Sequence, residues 1–304
     1  MRILRSARDV FATAENKSGE LIEIDGELRL RLQETLLGIY KDVKEVCDRN
    51  GITLFMIGGS ALGAVRHKGF IPWDDDMDLS MSREDFRKFC GIFERELSDK
   101  YILNAPNYSK TPKNRFPRIL KRDSHMKGIF DTDDEALQKI FVDLFILDNC
   151  PDNRLVRFVK GHYCNFLFMV SWIVFIYENR NEHVKRFLCS GGRINYDFRM
   201  LIGFLFSWRS ACRWFERFDK AAQYDHPTRD CCLASGRKHY FGEIMRREQW
   251  FPGQIESFCG EDARIFQDKD YYLRNLYGDY MKLPPEDKRE HHNVVELRFS
   301  EKTD

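Results

Sequence analysis

The sequence predicts an α/β (α+β) fold: a mixed sheet flanked by helices, with a helical insertion. Three observations carry this. A helical face, a short apolar run and a glycine turn follow one another between about Leu28 and Ser60. An apolar stretch from Lys139 to Leu147 reads as a strand, although Asp143 interrupts it. Beyond Asn153 the pattern turns helical through Ala222, with Phe, Trp and Met throughout.

Taken in order, Leu36, Ile39, Tyr40, Val43, Val46 and Cys47 recur at three- and four-residue steps and form one face of an amphipathic helix, which Asn50 and Gly51 stop. Thr53 to Ile57 is a short β-favouring run, a buried strand entering a turn at Gly58-Gly59-Ser60, with a short helix from Ala61 to Arg66. Pro72 blocks further helix, and after Trp73 the acidic run Asp74 to Asp78 leads into the alternating strand Leu79-Ser80-Met81. Ser82, with Asp85 three residues on, is an N-cap for a helix whose apolar face holds Phe86, Phe89, Phe93 and Leu97. Tyr101 to Asn104 and Phe116 to Lys121 read as strands, Asp148 to Asn153 as a loop, and Lys238 to Phe241 as a return to the sheet. Asp268 caps a short helix that Gly278 ends, and Leu283 to His292 is polar and irregular.

Composition narrows the function. Lys and Arg number 49 against 48 for Asp and Glu, so no broad field draws the chain to nucleic acid. With 43% apolar and 32% charged residues the chain is folded, not disordered. Nine cysteines without a repeated spacing are unlike a disulfide framework and point to the cytoplasm. The N-terminus shows no signal peptide, and the apolar run Tyr163 to Tyr177 falls short of the roughly 20 residues that span hydrocarbon. It reads as a buried helix, with a membrane-surface element as the alternative.

The chemistry concentrates at three places. Asp76 and Asp78, two apart on an expected strand, point to one face and repel, a combination that a divalent cation with hard oxygen ligands relieves; Mg²⁺ suits it because its other positions take water and phosphate oxygens. Asp143 sits in a run that otherwise wants burial, and a shared metal would settle its cost. Gly58, Gly59 and Ser60 offer backbone N–H groups and a hydroxyl to a phosphate where a Cβ would obstruct it. Each feature has a plainer reading, as solvated turn, plain turn or ion-pair partner, and only the combination argues for a site.

Around this core, Arg66, His67, Lys68, Arg118 and Lys121 are candidates for meeting diphosphate, against a solvated charged face as the other reading. Trp73 either stacks on a base or a cation or anchors its loop. Tyr277, Asp279 and Lys282 either close over a substrate or simply finish a helix. Cys212, Cys231, Cys232, His226 and His239 lack the C-x-x-C spacing of a zinc site and read as buried or idle side chains.

The stretch from Ile57 to Leu79, containing Gly58-Gly59-Ser60 and Trp73 to Asp78, closely resembles the signature of the LicD family within the nucleotidyltransferase-like superfamily. Phe141 to Asp148 resembles the family's next block, and Leu276 to Pro285 with His291-His292 its C-terminal one. The resemblance covers roughly 30–150 and 240–292 and implies a nucleotidyltransferase-like core over 28–150 and a segment over 237–304 that completes the site; outside it stand an N-terminal extension over 1–27 and the helical insertion over 151–236, which matches no block of the family and is read as an acceptor- or membrane-facing region. It further implies a phosphotransferase that carries phosphocholine or a similar group from a CDP-linked donor such as CDP-choline to a sugar hydroxyl of a cell-surface glycan such as lipopolysaccharide, releasing CMP. Fukutin-type relatives are similar in using CDP-ribitol. On this resemblance Gly59 and Ser60 hold donor phosphate, while Asp76, Asp78 and Asp143 are the acids around Mg²⁺, or Mn²⁺ in its place. A nucleotidyltransferase attacking the α-phosphate of an NTP and a non-catalytic glycan- or nucleotide-binding protein are the other readings of the same fold. The expected place is the cytoplasm, with peripheral contact at the inner membrane face.

Overall fold

The computed structural model of the chain describes residues 21–131, 134–180, 182–190, 193–285, 289 and 294–299. The first helix, α1 (Gly26–Arg49), buries Leu32, Leu36, Ile39, Tyr40, Val43, Val46 and Cys47, which continue the periodic stripe of the sequence. Five short elements then build the heart of the sheet: β1 (Phe55–Met56), α2 (Gly58–Arg66), β2 (Asp78–Ser82), α3 (Arg83–Glu96) and β3 (Tyr101–Asn104). Ser82 caps α3 as its sequence context predicts, its hydroxyl accepting the Asp85 N–H at 3.1 Å.

Beyond these come β4 (Arg118–Lys121), β5 (Ser124–Gly128) and the ten-residue β6 (Phe141–Cys150). The main sheet has the order β1-β2-β6-β4-β3, with β6 and β2 parallel and the other pairs antiparallel, so it is mixed. β6 lies at its centre and is buried at Val142, Asp143, Leu144, Ile146, Leu147 and Asp148. Central position is what lets an aspartate in that run matter.

Four helices make up the insertion: α4 (Arg154–Glu178), α5 (Glu182–Ser190), α6 (Arg193–Phe206) and α7 (Ala211–Ala222). Of these, α4 and α7 form a second hydrophobic cluster in which Cys164, Leu167, Val170 and Val174 of α4 meet Trp214, Phe215 and Phe218 of α7. The chain then returns through β7 (Asp230–Cys232), which pairs with the end of β6, then α8 (His239–Gly242), β8 (Ile244–Arg246) and α9 (Arg247–Trp250). A hairpin of β9 (Gln254–Phe258) and β10 (Glu261–Ile265) precedes α10 (Lys269–Tyr277), and β11 (Val294–Phe299) pairs with β5.

Four expectations need correction. The strand expected over Thr53 to Ile57 is only Phe55–Met56, because Ile57 is the N-cap of α2 and donates its N–H to the Asp78 carbonyl at 3.0 Å. Gly58 and Gly59 accordingly form the first turn of α2 and not a separate turn. Lys238 to Phe241 is not a strand; α8 tucks Tyr240 and Phe241 against Gly161 of α4, where any Cβ would collide with both rings, and β7 and β8 supply the return instead. The loop expected from Asp148 begins later, since β6 continues to Cys150 by pairing with β7. His291 and His292 lie outside the described residues, as does most of the expected N-terminal extension.

One buried acid sets a pH dependence. Glu243, between α8 and β8, is 1% exposed and accepts the Lys238 N–H at 2.8 Å. Burial raises its pKa from 4.5 to about 7 against the opposing backbone hydrogen bond and nearby Arg237 and Lys238. The folded protein therefore binds a proton that the unfolded chain has released between pH 4.5 and 7, so stability falls as pH rises through that window. Glu243→Gln is expected to flatten this slope and to gain up to about 3 kcal/mol at pH 8, measured by urea denaturation across pH.

Candidate functional site

The sheet register builds the site. On the parallel pair β2 and β6, Asp78 stands opposite Asp143, and on the antiparallel pair β4 and β6, Arg118 stands opposite the same Asp143. Register partners on adjoining strands project to one face, so these side chains form a row across the middle of the sheet. Arg118 closes it at one end, its Nε donating to Asp143 Oδ1 at 2.8 Å while its guanidinium lies 3.8 Å from the Phe141 ring centre.

At the other end stands the acidic turn before β2. Ligand oxygens of Asp74, Asp75 and Asp76 lie within 4.8 Å of one another, the one grouping of that kind among the described residues. Burial raises the Asp74 pKa well above the usual carboxylate range, and Asp76, Asp75 and Asp78 raise it further. Three neighbouring carboxylates thus disfavour the charge on Asp74, an effect that a bound cation would relieve. The donors are all carboxylate oxygens, which fits a hard divalent ion such as Mg²⁺ or Mn²⁺.

The start of α2 abuts these acids because it lacks side chains. A Cβ on Gly58 would lie 2.6 Å from Asp78 Oδ2, and one on Gly59 3.0 Å from Asp74 Oδ2. Ser60 locks the two elements together, its Oγ accepting the Asp78 N–H at 2.9 Å. The Gly58 N–H, expected from the sequence to face a phosphate, instead donates to the Tyr272 hydroxyl at 3.1 Å. Gly58 thus serves through its missing Cβ, while the N–H groups of Gly59 and Ser60 have no partner within the helix.

The C-terminal helix α10 forms a further wall. Tyr277 has its pKa raised by burial and then by the fields of Asp78, Asp74 and Asp76, with Arg237 opposing, which sets its hydroxyl beside the acids. Arg66 donates from Nη1 to the Tyr280 carbonyl at 2.6 Å; burial lowers its pKa against the raising influence of Tyr277 and Asp74. Trp73 is half-buried, with the Arg289 guanidinium 4.3 Å from its ring centre and His67 edge-on at 6.4 Å.

Some expected residues are not brought in. Lys121 lies three residues along β4 from Arg118, hence on the opposite face, with its ammonium 5.7 Å from the Tyr101 ring centre. Lys68 is paired with Glu256 at 2.8 Å, and Asp279 and Lys282 are exposed. Cys231 packs in the main core and Cys232 in the insertion cluster, since neighbours on a strand point to opposite faces. Sequence reasoning missed Asp74, Asp75 and Tyr272. It applied strand alternation to Asp76 and Asp78, but β2 begins at Asp78, so the residues before it follow a turn in which three acids, Asp74, Asp75 and Asp76, converge.

Residues 51–152 match the LicD/FKTN/FKRP nucleotidyltransferase domain. The lipopolysaccharide cholinephosphotransferase LicD of Haemophilus influenzae is 26% identical over 283 residues, 89% of this chain and 98% of that protein. The chain carries a LicD-family domain over residues 51–152. Shorter matches are to an uncharacterized protein of Rickettsia prowazekii, 35% identical over 25% of this chain and 27% of that one, and to one of Rickettsia typhi, 41% identical over 19% and 20%. The LicD domain match contains the glycine start of α2, the acidic turn, Arg118 and Asp143, and stops just before α4.

Proposed function

We propose that the chain is a metal-dependent phosphotransferase that moves phosphocholine or a similar polyol phosphate from a CDP-linked donor to a sugar hydroxyl of a cell-surface glycan, with CMP as the leaving product. The phosphotransferase class comes with the family, whose Haemophilus member acts on lipopolysaccharide. The observation that carries the reading is the placement of Asp78 and Asp143 in register on parallel strands beside a side-chain-free helix start.

Each group has a task in this reading. Gly59 and Ser60 N–H groups hold a donor phosphate at the helix N-terminus, where the partial positive charge of α2 favours it. Asp76 and Asp78, with Asp74 and Asp75 beside them, would hold Mg²⁺, which supplies neutralisation of the phosphate oxygens. Arg118 engages Asp143 Oδ1, and Oδ2 takes the proton of the acceptor hydroxyl. The acceptor oxygen then bonds to the donor's distal phosphorus as the bond from that phosphorus to the CMP oxygen breaks. Arg66 and Trp73 flank the donor end, one for diphosphate charge and one for a base or a choline-like cation.

The test is incubation with a panel of CDP-alcohols, CDP-choline among them, and Mg²⁺, with and without chelator. CMP is expected from one of them and is expected to vanish with chelator. Pyrophosphate from an NTP in its place would mean attack at the α-phosphate, and binding without product would mean a non-catalytic protein.

A CDP-linked donor suits a cytoplasmic enzyme, and one surface fits contact with the inner membrane face. α4 is long and apolar enough to cross a membrane, but half of its apolar window is buried in the protein. Its other side exposes Leu155 at 71%, Phe158 at 58% and Val159 at 61%, and α6 and the turn after it expose Phe204 and Trp208 at more than 60%. Arg154 stands exposed at the start of the same helix, while Arg157 pairs with Asp230 at 2.6 Å and Lys160 donates to the Gln223 carbonyl at 2.9 Å. That pattern suits a helix lying at an anionic lipid surface. Co-sedimentation with vesicles containing anionic lipid is expected for the wild type and to be lost in Phe158→Ser/Phe204→Ser.

A further inference from the structure

A cavity opens at the end of the sheet away from the acids. Asp143 stands near the start of β6, and Cys150 ends that strand seven residues on, about 20 Å away at ~3.3 Å per residue. There Cys150 pairs with Asp230 of β7, and Asp230 with Arg246 of β8. These strand ends, the segment before β1 and the hairpin of β9 and β10 enclose a space of about 1000 Å³. Its charged lining is Arg229, Arg246, Arg247 and Arg264 against Asp230 and Glu248, and Phe251 with Pro252 makes an apolar wall.

Each acid at this cavity is already matched. Asp230 accepts from Arg157 of α4 at 2.6 Å, Glu248 pairs with Arg246 at 3.5 Å, and Asp152, just outside the lining, pairs with Arg229 at 3.6 Å. Arg247 and Arg264 meet neutral acceptors instead. Arg247 donates to the Thr228 carbonyl at 3.2 Å and to the Asn149 amide oxygen, and Arg264 to the Pro252 carbonyl at 3.0 Å. Neither has a carboxylate within ion-pair distance among the described residues. Taking the lining together with its pairing partners, five arginines face three acids, and the two positive charges left over are those of Arg247 and Arg264. Asn149 is itself held by donating to the Tyr224 carbonyl at 2.9 Å, so the Arg247 guanidinium is positioned before any ligand arrives. A concave wall with an excess of one charge concentrates its field on the space inside.

We propose that this cavity binds a phosphate-bearing ligand, with Arg247 and Arg264 as the anchors of its anionic groups and Phe251 and Pro252 as the wall for the carbon skeleton that carries them. Phosphate oxygens suit the forked N–H donors of a guanidinium, and an open space of this size takes a ligand larger than a bare ion. Two sources share this chemistry: a phosphate on a sugar, as on a glycan acceptor, and the headgroup of an anionic phospholipid. The cavity adjoins the membrane-facing stretch of α4, because Arg157, which holds Asp230 in the lining, lies between the exposed Leu155 and the exposed Phe158 and Val159. Phosphate binding there is independent of the transfer reaction; only its assignment to an acceptor rests on the phosphotransferase reading.

The experiment is calorimetric titration of the full chain in chelator with inorganic pyrophosphate, on wild type, Arg264→Gln and Arg247→Gln/Arg264→Gln. The wild type is expected to bind, Arg264→Gln to bind about tenfold more weakly, and the double variant more weakly still. No binding by the wild type, or equal binding by the wild type and Arg264→Gln, overturns the proposal. Arg264→Gln carries the test alone if the double variant fails to fold, because the Arg264 side chain gives up only its hydrogen bond to the Pro252 carbonyl. Two further arms name the source: a hexose phosphate in solution, and co-sedimentation with vesicles of phosphatidylglycerol against phosphatidylcholine. The arm in which Arg264→Gln loses the binding of the wild type is the source, and loss in neither overturns the proposal. Pyrophosphate binding that falls in Arg264→Gln, in a protein that yields no CMP from any CDP-alcohol, would uphold the pocket and overturn the reaction.

Discussion

Asp78→Asn is expected to lower CMP formation by about a thousandfold or more while leaving the protein folded. The backbone at this position is held independently of the carboxylate: the Asp78 N–H binds Ser60 Oγ at 2.9 Å and its carbonyl accepts the Ile57 N–H at 3.0 Å. An amide also fits the space that Gly58 leaves open. What changes is charge. Asp78 raises the pKa of its neighbour Asp74, so its neutralisation is expected to bring Asp74 back toward the usual carboxylate range. Asp143→Asn separates the two roles. It is expected to cost comparable activity but also about 1–3 kcal/mol of stability, because Arg118 loses its partner in a part of the sheet where Asp143 is 7% exposed. Initial rates of CMP formation and thermal melts of both variants check this. Equal activity of Asp78→Asn and wild type would remove the acidic turn from the mechanism.

Much of this architecture is legible in the chain because local signals agree with the fold. The stripe of α1, the Ser82 cap, the Asp268 cap of α10 with Tyr271 N–H at 3.1 Å and the apolar run of β6 all name their elements without help. The elements that escape are short and polar on one side. β9 and β10 are joined by Cys259-Gly260, both with positive φ, which is the backbone of a tight hairpin turn, but cysteine at its first position hides the usual Asn-Gly or Asp-Gly signal. β5 and β11 pair across more than 160 residues of chain, and no local pattern announces such a partner. Part of the site is legible in the same way. Asp143 is conspicuous as a charge in an apolar strand, and the glycines as a turn.

Arg83→Met is expected to be the most destabilising single substitution away from the acidic turn, by about 3–5 kcal/mol. Arg83 opens α3 and reaches two other parts of the fold. Its Nε and Nη2 each donate to Asp148 at the end of β6 at 2.8 Å, and its Nη1 donates to Asp219 of α7 at 2.7 Å. Its side chain is 12% exposed, and those of Asp148 and Asp219 are 3% and 9% exposed. Burial works against the guanidinium charge, but the Asp148 and Asp219 carboxylates outweigh it and raise the pKa of Arg83. Asp219 is further held by the Asn107 amide at 2.7 Å and by Gln223 at 3.0 Å, so it cannot turn away when Arg83 is removed. Methionine would therefore leave two buried carboxylates facing each other at the join between the sheet and the insertion. Removing the charges together is a different matter: Arg83→Met/Asp148→Asn/Asp219→Asn is expected to regain most of the loss, because the large cost of a broken buried pair lies in the unpaired ions. Urea denaturation of the single and triple variants measures both numbers. A single variant within 1 kcal/mol of wild type would mean that the insertion is held by its apolar contacts alone.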